Sequence, residues 1–121
     1  MVDREDILRR LTLGDEDFLD SLIAGRRSRP PSARLSHQDE ALVRLGALAA
    51  TGGSDLSWQH TVGGALAAGL TADQVVEALV VLGPLIGSTQ LVAITPKVSL
   101  ALGYDVEAAL EAPGPRPMVA R

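Results

Sequence analysis

The chain contains no cysteine and only three aromatic residues, Phe18, Trp58 and Tyr104, among its 121 positions. The first absence excludes disulfides, thiolate metal sites and every thiol-based redox mechanism. The second means that the core must be built from Ala, Leu, Val and Ile, which supply most of a 46% hydrophobic composition and suit closely packed helices. Basic charge is also scarce. Ten Arg and one Lys face 15 acids for a net charge of −4, and the basic residues cluster only in "GRRSRPPSAR". Nucleic acid is therefore not an expected partner, because phosphate binding needs a basic face; the cluster reads as a solvated loop. Long apolar runs are missing too. The longest, Ala78 to Gly87, is half of the ~20 residues a bilayer span requires, and "MVDREDILRR" has no apolar segment behind it that would make it a signal peptide. A soluble, cytoplasmic protein without membrane contact is expected. With two His and no carboxylates clustered at ligand spacing, neither a metal site nor a cofactor is expected.

What is present reads as helix throughout, with no period-two alternation, so the fold class is all-α. Ile7, Leu8 and Leu11 lie at helical spacing behind Asp3, a candidate cap. Phe18, Leu19, Leu22 and Ile23 form a second stripe, with acids at its start and Gly25 at its end. The prolines of "RRSRPPSARL" separate this N-terminal helical pair and loop, residues 1–34, from a main domain over 35–111 and a flexible tail over 112–121. In the main domain Ser36 and Asp39 resemble a capping box before the stripe Leu42, Val43, Leu45, Leu48, Ala49, which "TGG" ends. The next helix starts near Ser54 or Asp55 and runs to Gly69. Its interior pair Gly63–Gly64 costs about 1 kcal/mol each relative to Ala, which calls for another helix backbone in close approach. Thr71 and Gln74 form a capping box before "VVEALVVL", apolar nearly all round. A helix of that kind is buried on more than one side, and in a small protein the second side is often a subunit interface. Gly83 and Pro84 should bend or interrupt it; Ser88 or Thr89 can cap the following helix, which Pro96 should kink. A last short helix, "DVEAALEA", is capped by Asp105.

The run "DEALVRLGALAA", followed by a polar helix start, "GGALAAGLTADQVVEAL" and "GPLIGSTQLVAI", resembles the carboxymuconolactone decarboxylase family, which includes the AhpD-like alkylhydroperoxidases. The similarity covers roughly Leu35 to Tyr104. It implies a helical bundle assembled as a homotrimer or hexamer. In the peroxidase branch the helix before "ALAAGLTADQVVEAL" opens with a Cys-x-x-Cys pair and a His four residues on. Those places hold Ser54, Ser57 and Thr61 here, so a thiol peroxidase is not expected: a hydroxyl has neither the acidity nor the redox couple the reaction needs. The decarboxylase branch keeps its His at the same place, and here His60 is its neighbour. Adjacent helical residues point about 100° apart, so His60 takes that role only if the preceding turn shifts by one residue.

Chemistry therefore concentrates in "SDLSWQHT", residues 54–61. His60 is a candidate general acid or base, or else a polar residue on an exposed turn. Ser57, at i−3 from His60, is a candidate nucleophile or hydrogen-bond donor, and Thr61 a further one. Trp58 either walls a ligand pocket or fills the space left by small residues around it. Asp55 and Gln59 are ligand-contacting candidates, and Asp55 also has the position of an N-cap; Glu40 is the acid on the preceding helix. Arg44 and Gln59 are candidate anion-binding groups. His37 and Lys97 have no company that suggests chemistry. Three functions follow: a protein binding a small carboxylated or apolar molecule near Trp58 and His60; a cofactor-free lyase (decarboxylase) or isomerase using His60; and a structural or partner-binding oligomer.

Overall fold

A computed structural model describes residues 3–25, 34–104 and 111. Six helices follow one another: α1 Arg4–Leu13, α2 Glu16–Ile23, α3 His37–Thr51, α4 Asp55–Ala67, α5 Ala72–Ile86 and α6 Ser88–Ala101. There is no strand among the described residues. The chain divides into two compact units, Met1–Arg34 and Leu35–Arg121. The proposed last helix over 105–112 lies outside the described residues except for helical Glu111, as do the Arg-rich loop 26–33 and the tail.

In the first unit α1 and α2 form a helical hairpin. Gly14 takes the left-handed conformation (φ 67°) that ends α1, and Asp15 caps α2 by accepting the backbone N–H of Phe18 at 3.1 Å. Asp3 sits at the N-cap of α1 but makes no side-chain cap bond. Phe18 is buried beneath the guanidinium of Arg10, 5.5 Å from the ring centre.

The second unit holds the main core. Ala41, Leu45 and Ala49 of α3, Trp58, Val62 and Ala65 of α4, Val75 of α5, and Ile94 and Val98 of α6 are buried together with Leu70. Their spacing of three or four residues puts one stripe of each helix inward, and α4 packs against both α3 and α6. Ser36 Oγ accepts the Asp39 N–H at 3.0 Å. Thr71 and Gln74 close a reciprocal capping box, with bonds of 3.1 and 2.9 Å, so that sequence signal acts as read. The short connection 52–54 turns α4 back along α3, and the end of α4 reaches the start of α3: a Cβ on Gly69 (φ +101°) would lie 2.8 Å from Gln38 Nε2. Side chains distant in sequence satisfy the carbonyls that the end of α3 and this connection leave free. Gln90 Nε2 donates to the Ala49 carbonyl at 2.9 Å, Lys97 Nζ to that of Gly53 at 2.9 Å, and Trp58 Nε1 to that of Gly52 at 2.8 Å.

Several expectations change. The helix α5 continues through Pro84 to Ile86 rather than breaking there, and Gly87, not Ser88 or Thr89, takes the cap position of α6 without a side-chain bond. No backbone among the described residues approaches Gly63 or Gly64; a Cβ at either would meet nothing within 4 Å. The apolar circumference of α5 is buried on one side only. Val75 is inside, whereas Val76, Val80, Val81 and Leu85 face outward, Leu85 with 77% of its surface exposed.

Candidate functional site

Small residues on facing helices leave space that larger ones would fill. Between α3 and α4 this produces a cavity of about 660 Å³, walled by His37, Ala41 and Arg44 from α3 and by His60, Thr61, Gly64, Ala65, Ala67 and Ala68 from α4 and its C-cap. On α3 the three residues stand at i, i+4 and i+7; on α4, His60, Gly64 and Ala67 repeat the same spacing, so two matching helix faces line the space. Ala and Gly form the body of the wall and the two imidazoles and one guanidinium its polar part. Both imidazoles are exposed, so the cavity communicates with solvent. Arg44 is paired through Nη2 with Oε1 of Glu40, one turn earlier on α3.

Of the six candidates within residues 54–61, the structure brings His60 and Thr61 to this wall, where the anion-binding candidate Arg44 also stands. They do so from a helix that is regular from Asp55 onward, and the cavity is wide enough to take in side chains from positions 100° apart. The other four stand elsewhere. Trp58 is 0% exposed in the core, filling the volume its small neighbours leave, with its N–H bonded to Gly52; it does not line the cavity. Ser57 Oγ lies 3.0 Å from Ser54 Oγ, so its hydroxyl engages the cap of its own helix instead of His60. That cap is Ser54, whose Oγ accepts the Ser57 N–H at 3.1 Å. Asp55 consequently sits one position inside the helix, where an acid still complements the dipole, and its carboxylate is 3.9 Å from Lys97 Nζ. Gln59 is exposed and off the cavity wall.

His37, which has no neighbour in the sequence that suggests chemistry, shares the wall with His60. Its signal was available in retrospect. His37, Ala41 and Arg44 form one helical face whose middle member is small, and a polar–small–polar face opposite another polar–small face leaves an open, polar-rimmed gap. Among the described residues no group of three His, Asp or Glu is placed to hold a metal ion, and none of the helices is long and apolar enough to cross a membrane.

In comparison with known proteins, the model of the carboxymuconolactone decarboxylase family matches residues 18–96, which is more than half of the chain. The match begins in α2, earlier than the resemblance visible from Leu35 onward, and ends within α6. Neither a curated protein nor a solved structure matches.

Proposed function

From a chain that belongs to the carboxymuconolactone decarboxylase family and has no thiol, we propose a protein without peroxidase activity that binds a small carboxylated molecule in the α3–α4 cavity. One observation carries this reading: both histidines of the chain and Arg44 converge on one cavity whose remaining wall is nearly all Ala and Gly. Imidazole and guanidinium donors suit an anionic head and the alanine wall suits a short apolar body. The places of the family's redox pair hold Ser54 and Ser57, whose hydroxyls cannot cycle through a disulfide.

Because the chain has only two histidines, their ring signals give an unambiguous assay. Titration with a panel of small carboxylic acids should move the ring resonances of both His37 and His60 in a saturable manner. Unchanged rings at millimolar ligand would rule the reading out. Trp58 fluorescence should respond little, since the indole is enclosed in the core.

A second reading, a cofactor-free lyase or isomerase on a small carboxylate or lactone, is favoured by His60 and Thr61 standing side by side on the wall that holds Arg44. There His60 would move the proton, Thr61 would hydrogen-bond the substrate and Arg44 would hold its carboxylate. A general acid or base contributes about 10²–10⁴-fold, so His60→Gln should lower turnover by that factor while binding persists.

The outward apolar side of α5 supports self-association as a homotrimer or hexamer. If no ligand binds and the assembly persists, the structural or partner-binding reading takes over.

A further inference from the structure

We propose that Glu40 holds Arg44 in reserve and that an anionic ligand takes the guanidinium over, so that Glu40 sets how tightly the cavity binds carboxylates; this rests on the cavity reading above. Arg44 lies on the wall, whereas Glu40, one turn away on the same helix, does not. Their ion pair joins a largely exposed guanidinium to a mostly covered carboxylate, with side-chain exposures of 69% and 24%. Pairs at this spacing with one exposed partner are weak, because solvent screens the attraction and two long side chains must be held still. They shift an equilibrium by about two- to fivefold at most. The Glu40 contact is made through Nη2, and a guanidinium carries five N–H donors in a planar fork that matches a second carboxylate.

A carboxylate entering the cavity gains more than Glu40 offers. It meets Arg44 and, from the same wall, the imidazoles of His37 and His60, so three donor-bearing groups on two helices converge on it. The class of ligand that fits is a small monocarboxylate with a short, uncharged body lying on Ala41, Gly64 and Ala68. Glu40 opposes this ligand twice, by occupying Arg44 and by placing a like charge nearby. The sign of the effect separates this role from a structural one. A pair that merely stiffens α3 would weaken binding when broken, whereas a competing pair strengthens it.

The test is calorimetric titration of the full chain with benzoate for wild type, Glu40→Gln, Arg44→Gln and the double variant, each checked for native helicity. Glu40→Gln is expected to tighten benzoate binding about two- to fivefold, the most that releasing such a pair can give, and Arg44→Gln to weaken it about tenfold. With Arg44 already replaced, Glu40→Gln should change affinity less than twofold, since the cavity wall then offers no guanidinium. Unchanged or weaker binding in Glu40→Gln, with wild type binding normally, overturns the inference and leaves the cavity reading standing. A gain that persists undiminished in the double variant also overturns it, assigning the effect to charge repulsion alone. Absence of benzoate binding in both wild type and Glu40→Gln overturns the inference and the cavity reading together.

Discussion

The indole N–H of Trp58 donates to the carbonyl oxygen of Gly52 at 2.8 Å, tying the first turns of α4 to the connection that precedes it. The residue is fully enclosed, so it contributes apolar burial together with this part-buried hydrogen bond. Trp58→Phe should lose about 1–3 kcal/mol by leaving the Gly52 carbonyl short of a partner, and Trp58→Ala about 3–5 kcal/mol through the cavity created. Urea unfolding followed by circular dichroism measures both. Equal losses in the two variants would show that the hydrogen bond contributes everything and the packing nothing.

Two glycines should respond in opposite senses. At Gly53, with φ +56°, a Cβ would clash with the Leu48 side chain; the left-handed conformation alone costs an L-residue about 1–2 kcal/mol, so Gly53→Ala should lower stability by at least that much. Gly63 stands in a helix interior with open space beyond it, and Gly63→Ala should raise stability by up to about 1 kcal/mol. Thermal melts of the two variants decide. Destabilisation by Gly63→Ala would place a neighbouring molecule against that face.

Charge on the outward side of α5 should break an assembly if one forms there. Val80 and Leu85 are both exposed in the single chain, and burying an unpaired carboxylate at a subunit contact is prohibitive. Wild type should scatter light as a multiple of the 12.6 kDa chain, and Val80→Glu as the chain alone. A wild-type mass of 12.6 kDa at micromolar concentration ends the proposal.

In the first unit the Asp6 carboxyl is held below the ordinary carboxylate range, chiefly by the hydrogen bond from Arg9, partly opposed by desolvation and aided by Arg10. A lowered folded-state value means that this group favours the folded hairpin above the ordinary carboxylate pKa, and that the contribution is lost as pH falls through the folded value. Arg9→Ala should move the Asp6 titration upward, as followed by carboxyl carbon shifts. An unmoved titration would transfer the effect to Arg10.

Much of the architecture was legible locally. Thr71 and Gln74 announced the start of α5 because a capping box involves only groups within one turn. In the stretch 54–61 residue type and resemblance place a candidate centre, but the side chains part in the fold. Ser57 is drawn to Ser54 by the cap, Trp58 is taken into the core, and His60 and Thr61 turn toward α3. Their neighbourhood in sequence hid this divergence, since a helix points successive side chains about 100° apart. His37 shows no such signal for the converse reason: its partner on the wall is on another helix.

By itself the sequence determined an all-helical fold without thiol chemistry, the caps Ser36 and Thr71, and an α5 apolar nearly all the way round. These follow from composition and from interactions within a turn or two. Tertiary structure alone decided that α3 and α4 face each other through small residues, that His37, Arg44 and His60 share the resulting cavity, and that Gln90 and Lys97 reach back to the carbonyls of Ala49 and Gly53. The reason is physical: which faces meet depends on how several apolar stripes are buried at once, and no single helix carries that information.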